Sequence, residues 1–488
     1  MNMNRRDALK VGAASVAAVA ATAMTGCTEA EVKPAGNAGS QKTIAKHQIV
    51  VIGGGFGGLT IAKSLKKKDK NFNVLVIEKN DTFMSCPFSN ANIGKLDGIS
   101  LSTFVFDYGQ PVEKHGYGML KAEVTAIDRE AKEIHTTHGV VKYDILVLSP
   151  GIAYDYEGQF PMWSKEKIQH VVRETPAALI PGAEHVALER QLANMEDGDV
   201  VITVPNGKFR CPPAPFERAS MIAAYMKKED IRGKVIILNP KAKFAKYGAF
   251  MESWKDLYGD RIVHMPHCAI LDVDPKAKTI TFKTVVERSD VVGLGGLKSV
   301  RKTLKYEVLN LIPNNKANPV IEMATLETSR DSFGKVLMNG CSFQTKTDKD
   351  IYAIGDVVAH AIPPSGQTAS WSAKQCAEEI AHRLHGKDYS LAVKSAPVKA
   401  GNVCYSMVGD KPEEAIMVTH DFSWTGKVIK GKGSVPKAPS GKYRSKGTAK
   451  ATRDWYSGAM ADLFSQTSLK KRYLLFLSSS IHNKYSHF

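Results

Sequence analysis

The chain has 488 residues, 43% hydrophobic and 24% charged, which is long enough for two or three buried cores and ordinary for a multidomain globular protein. Its 66 Lys and Arg against 49 Asp and Glu give a formal charge of +17, but no helix-turn-helix, zinc-finger or aromatic RNA-binding signature accompanies the excess, so nucleic acid is not an expected partner. Much of the excess lies late, in TGKVIKGKGSVPKAPSGKYRSKGTAKATR, which reads as a solvated loop and, alternatively, as a face for an acidic partner.

Residues 1–27 combine Arg5 and Arg6, Leu9 and Lys10, and an Ala/Val stretch too short and small-sided to span a bilayer comfortably. This pattern predicts a twin-arginine export signal, hence a periplasmic protein that folds before export, often around a cofactor. Met24-Thr25-Gly26-Cys27 is similar to a lipobox and makes Cys27 a candidate lipid anchor; ordinary cleavage nearby is the alternative. No other segment reads as a transmembrane helix, so membrane contact is expected to be peripheral or through that lipid. An oxidising compartment permits disulfides among Cys86, Cys211, Cys268, Cys341, Cys376 and Cys404, and nothing in their spacing pairs them. There is no CxxC, CxxCH or HExxH motif, which argues against a metal site and against haem attached to this chain.

HQIVVIGGGFGGLTIAKSL is a buried strand followed by Gly53, Gly55 and Gly58 in GxGxxG spacing and the start of a helix. The first glycine permits the tight turn, the second lets the backbone approach a pyrophosphate, and the third lets helix and strand pack closely. A second strand, NVLVIEK, places Glu78 20 residues past Gly58, where an acid binds ribose hydroxyls. YDILVLSPG, ending at Gly151, resembles the crossover segment of flavoproteins with two dinucleotide domains. DIYAIGDVVAH resembles their closing strand, in which Asp356 is the residue expected at the flavin ribityl chain. FAD is therefore the expected cofactor.

A second βαβ rhythm follows: a strand at Val200 to Val204, a helix around Arg218 to Lys227, and a strand at Lys234 to Asn239. Its first loop is PNGKFRCPPAPFE, not a glycine-rich cradle, and its side chains and prolines obstruct the approach a nicotinamide cofactor needs. Cys211 lies in that loop between Arg210 and a helix start, two features expected to favour thiolate; a small buried hydrophobe is the alternative reading.

FRCPPAPFERAS resembles the flavoprotein subunit of flavocytochrome c sulfide dehydrogenase, as do FMSCPFSN, NLIP, GDVVAHAIPPSGQTAS, GNVCYSM and DWYSGAMADLF. The resemblance runs from about His47 to Phe464 and leaves the tail 465–488, with its basic and apolar LKKRYLLFL, uncovered; that tail reads as a flexible extension or an interfacial segment. It implies that Cys211 and Cys404 form a redox-active disulfide and that Cys86 carries the flavin through a thioether to its 8α-methyl. Noncovalent FAD, as in the related sulfide:quinone oxidoreductases, is the alternative. The family often has a cysteine after the GD motif, where this chain has Val357 and Val358.

The resulting expectation is an α/β protein with two Rossmann-like domains, the FAD domain discontinuous, and a smaller C-terminal α+β domain. The boundaries are 46–158 and 313–395 for the FAD domain, 159–312 for the second Rossmann-like domain and 396–464 for the C-terminal domain. The resemblance implies oxidation of sulfide with electrons passing to a haem on a cytochrome c subunit or partner. The Lys-rich stretch after Trp424 is longer and more basic than the resemblance leads one to expect, and is a candidate face for an acidic cytochrome. Two alternatives stand beside it: a sulfide:quinone oxidoreductase at the membrane surface, and an exported flavin-binding scaffold without turnover.

Overall fold

In the computed structural model, which describes residues 42–287, 297–387, 399–425 and 429–464, the strand Thr43–Ile52 lies in the middle of a seven-stranded sheet. Val74–Glu78 and Gly139–Leu148 flank it in parallel, Ile49 standing opposite both Val74 and Ile145. Gly118–Lys121 extends one side in parallel. On the other side Glu133–Thr136 and Val124–Asp128 continue antiparallel, and Ile351–Ala353 joins in parallel beside Leu146 to Leu148. The last strand arrives some 200 residues after its neighbour, so this sheet is built from two separated pieces of chain. Runs such as Ile49 to Ile52 and Ile145 to Leu148 are buried throughout, as expected of parallel strands covered on both faces. Helices Phe56–Lys68 and Gly366–Leu384 pack against each other, and both contribute to the core that surrounds these strands.

A second parallel sheet has the order Ile262–Met265, Val235–Leu238, Val200–Thr203, Val308–Asn310. The helix after Val200–Thr203 runs from Ala214 to Lys228, four residues longer at its start than the sequence reading. Pro213 caps it and Pro215 sits in its first turn, where proline is tolerated because those N–H groups have no intrahelical acceptor. Past the carboxyl ends of the first two central strands, where an open α/β sheet would hold a nucleotide, Phe216 stacks on Phe244 with ring centres 3.6 Å apart and Phe250 and Trp254 close the cluster. The sequence reading did not anticipate the antiparallel sheet Ala269–Asp274, Thr279–Glu287, Leu297–Lys305 that follows.

The C-terminal part is a three-stranded antiparallel sheet, Lys399–Asp410, Glu413–Trp424 and Ile429–Ser434, followed by the helix Lys446–Phe464. Tyr456 of that helix is buried against Phe88 and Phe104, and Phe464 stacks on Phe106, which ties this part to the first core. The twin-arginine stretch, Cys27 and the tail 465–488 lie outside the described residues, as do 426–428 of the Lys-rich stretch. No helix among the described residues is long and apolar enough to cross a membrane.

Candidate active site

The strand Thr43–Ile52 ends at Gly53, and the helix Phe56–Lys68 begins with Gly55 at its N-cap. Gly53 has φ +104°, and a Cβ on it would stand 2.3 Å from Ser149 O; a Cβ on Gly58 would stand 1.8 Å from Gly53 O. These two positions admit no side chain. Gly55, by contrast, has nothing within 4 Å of a Cβ position, so its backbone faces open space. At the end of the neighbouring strand Glu78 Oε2 accepts the Gly54 N–H at 2.6 Å, and Oε1 accepts the Asn80 N–H at 2.9 Å. The turn and the acid thus sit side by side as a dinucleotide requires.

This turn opens into a cavity of about 550 Å³. Gly53, Gly55, Glu78, Cys86, Gly151, Cys211, Asp356 and Cys404 all line it, from both parallel-sheet regions and the C-terminal sheet. Gly58 packs behind the turn and is the single expected site residue outside the lining. The residues fit FAD: a pyrophosphate cradle, a ribose acid, and a cavity of cofactor size continuing toward sulfur.

Gly151 has φ +77°, and the Arg210 guanidinium lies against it, 2.7 Å from where a Cβ would stand. Asp356, in the short turn Gly355–Val357 after the strand Ile351–Ala353, is nearly buried and accepts from Arg210 Nε at 2.6 Å. Burial lowers the Arg210 pKa, but the Asp356 carboxylate, with smaller help from Cys86 and Tyr154, more than offsets it and holds the guanidinium more firmly charged.

Cys211 has φ +50°, a left-handed conformation uncommon outside glycine and asparagine, and its N–H donates to Pro364 O at 3.0 Å. Its carbonyl accepts from the Ala214 N–H at 2.8 Å, so Cys211 initiates the first turn of the helix. The expected thiolate is not favoured here. Although part of the side chain opens to the cavity, burial pushes the Cys211 thiol well up, and Cys404, Cys86 and Glu217 push the same way; Lys246 opposes them. Arg210 is turned toward Asp356 and away from this role.

Cys404 lies on the strand Lys399–Asp410, opposite Val418. Its thiol is also raised by burial and by Glu217, and pulled back by the Lys246 ammonium, which donates to its sulfur. Cys211 and Cys404 are free cysteines in the structure. They nonetheless line one cavity and act on each other electrostatically across 193 positions (404 − 211). Cys86 is a third free thiol in the same cavity; its Sγ donates to Leu179 O at 3.3 Å, and burial raises it. Cys268, Cys341 and Cys376 are buried elsewhere.

Three residues escaped the sequence reading. Glu217 is buried at the cavity wall; its Oε1 accepts from the Met407 N–H at 2.8 Å and its Oε2 from Asn90 Nδ2 at 2.9 Å, and burial raises its pKa. Beside it Arg218, 1% exposed, donates to Asn90, Asn310 and the carbonyls of Ala177 and Ala178. They are the two charged residues in a helix otherwise apolar or small up to Tyr225, a pattern that marks an internal polar network. The other missed residue is Lys246, whose sequence context is that of a surface lysine.

Residues 185–294 match the family described as the central region of the sulfide dehydrogenase [flavocytochrome c] flavoprotein chain, and residues 396–464 match the flavocytochrome c sulphide dehydrogenase flavin-binding family. Residues 47–178 match the pyridine nucleotide-disulphide oxidoreductase family. The flavoprotein chain of sulfide dehydrogenase [flavocytochrome c] from Chlorobaculum thiosulfatiphilum is 50% identical over 44 residues, which are 9% of this chain and 92% of that sequence. The sulfide-quinone reductase of Aquifex aeolicus is 25% identical over 393 residues, covering 75% of this chain and 82% of that one. The solved structure of the Aquifex aeolicus sulfide:quinone oxidoreductase superposes with a TM-score of 0.61 at 17% identity, covering 86% of this chain and 92% of the other, which establishes the shared fold. With its nucleotide turn, its oxidoreductase fold and these matches at both its central and C-terminal parts, the chain belongs to the family of the flavocytochrome c sulfide dehydrogenase flavoprotein chain.

Proposed function

We propose that this chain oxidises sulfide at a Cys211–Cys404 redox pair beside FAD and delivers the electrons to a c-type cytochrome. The observation that carries the reading is the meeting of Cys211 and Cys404, from distant segments, in the cavity that begins at the nucleotide turn. Hydrosulfide attack on one sulfur of the bonded pair forms a persulfide there and releases the other as thiolate. A second hydrosulfide removes the outer sulfur as hydrogen disulfide and leaves both cysteines reduced. FAD, when bound, supplies the two-electron acceptor that restores the disulfide and the one-electron exit to haem.

The protein's own groups position and proton-balance this chemistry. Glu217, kept closer to neutrality by burial and acting electrostatically on both thiols, takes up and returns their protons. Arg210 and Asp356 form a largely buried pair at the place expected for the ribityl chain. Cys86 is the thioether attachment point: denatured wild-type protein should keep its flavin and the Cys86→Ser variant should release it, while release from wild type would refute the link.

The haem resides on a partner, since the chain carries no CxxCH. The exposed edge strand Ile429–Ser434, with Lys430 and Lys432, is a face for an acidic cytochrome, and the site of action is the periplasm, reached through the Arg5-Arg6 signal. The extended likeness to sulfide:quinone oxidoreductases favours quinone as the rival acceptor. Assay of the purified holoprotein decides: sulfide should reduce cytochrome c, at a rate that falls as salt rises, and should leave a short-chain quinone untouched. Quinone reduction with cytochrome c inert would overturn the acceptor assignment, and no sulfide-dependent reduction of either would leave a scaffold.

A further inference from the structure

The two cysteines of the pair are not equivalent, and the asymmetry lies in Lys246. This residue caps the helix Tyr247–Tyr258 in a left-handed conformation, φ +63° and ψ +28°, which directs a lysine inward at a position where glycine or asparagine is usual. It is 6% exposed. Its ammonium donates to Ser406 Oγ at 2.7 Å and to Cys404 O at 3.0 Å, and lies 3.8 Å from Cys404 Sγ. Ser406 itself is fully buried. Among the described residues no carboxylate stands within ion-pair distance of Lys246; its hydrogen bonds go to neutral acceptors beside a sulfur, and the nearby charge it acts on is the buried Glu217, which raises both thiols. Cys211 Sγ receives no hydrogen bond among the described residues; that cysteine is fixed through its backbone N–H to Pro364.

We propose that Lys246 is a positioning residue that sets the direction of disulfide cleavage, making Cys404 the leaving thiolate and Cys211 the sulfur that is attacked and carries the persulfide. The inference rests on Cys211 and Cys404 being the redox pair. In the step, the bond between Cys211 Sγ and Cys404 Sγ breaks and a bond forms between the hydrosulfide sulfur and Cys211 Sγ. The electron pair of the broken bond goes to Cys404 Sγ, and the proton stays on the outer sulfur. Formally the substrate sulfur goes from −2 to −1 and the Cys404 sulfur from −1 to −2 while Cys211 is unchanged, and the charge of hydrosulfide moves to Cys404 beside the ammonium. A leaving sulfur whose anion is stabilised departs faster, which gives the attack its polarity.

The test is alkylation of the reduced holoprotein with iodoacetamide across a pH series, quantified by mass spectrometry for the Cys211 and Cys404 peptides. Cys404 should alkylate at lower pH than Cys211. In Lys246→Met the Cys404 midpoint should rise by about one pH unit, with a smaller rise at Cys211, and Lys246→Arg should restore it. After one equivalent of sulfide is added to the oxidised protein, the additional sulfur should be found on the Cys211 peptide. If Lys246→Met does not fold, the wild-type order still decides, since equal midpoints or Cys211 titrating first overturns the proposal. So do unmoved midpoints in the variant, or the sulfur on Cys404. Absence of sulfide turnover with the thiol order intact would instead defeat the proposed function and leave the role of Lys246 standing.

Discussion

Arg210 Nε donates to Asp356 Oδ2 at 2.6 Å, joining two cavity residues 146 positions apart in a pair largely withdrawn from water. The guanidinium next to the loop cysteine therefore neutralises a carboxylate and does not activate the thiol. Removing one partner of such a pair leaves an uncompensated buried charge, which typically costs about 3–5 kcal/mol. Arg210→Met should lower the urea midpoint correspondingly, and Asp356→Asn should be as damaging because it strands the guanidinium. A midpoint unchanged in both variants would show that the pair holds nothing.

The glycine turn makes a prediction that separates folding from cofactor binding. A Gly58→Ala methyl would meet Gly53 O at 1.8 Å, a clash with backbone that cannot turn aside, so this variant should lose both stability and flavin. Gly55→Ala meets open space, and its backbone at φ −80° is accessible to alanine. It should fold with a wild-type melting temperature and bind FAD weakly, because its methyl enters the space meant for a pyrophosphate. Absorbance at flavin wavelengths alongside thermal melting distinguishes the two; full flavin in Gly55→Ala would contradict the cradle.

His185 makes the fold acid-sensitive. Its ring is 3% exposed, with Nε2 3.3 Å from Ser89 Oγ, and burial, aided by the charge of Arg218, lowers its pKa to about 3. The unfolded chain binds this proton below about pH 6.5 and the folded chain does not until about pH 3. The stability is therefore complete above pH 6.5 and is lost as pH falls through the window between those values, at about 1.4 kcal/mol per pH unit. Between pH 7 and pH 5, wild type should lose about 2 kcal/mol more than His185→Gln in urea unfolding. Equal losses would show that the ring is already protonated, or solvated, in the folded state.

Much of the nucleotide half was legible because its signals are local. A buried strand, three glycines at fixed offsets and an acid on the next strand each follow from one turn's geometry, and Gly53, Gly55, Gly58 and Glu78 stand accordingly. Asp356 was placed by resemblance, but its partner Arg210 was not, since the two meet only through the tertiary fold. The pairing of Cys211 with Cys404 likewise came from resemblance. The thiolate expected at Cys211 failed because sequence shows a neighbouring arginine but not which way it turns, nor how deeply the thiol is buried. Lys246 was invisible for a related reason: nothing in KFAKYGAF distinguishes a lysine folded inward by a left-handed backbone from one in solvent.

The central claim is that Cys211 and Cys404 exchange a bond in step with sulfide. A non-reducing peptide map of the air-oxidised holoprotein, repeated after sulfide under anaerobic conditions, measures this directly. The account predicts one crosslinked peptide joining Cys211 to Cys404 before sulfide and its disappearance afterwards, with Cys268, Cys341 and Cys376 free in both maps. Recovery of Cys211 and Cys404 as free thiols from the oxidised protein, or a crosslink that sulfide leaves intact, would contradict it.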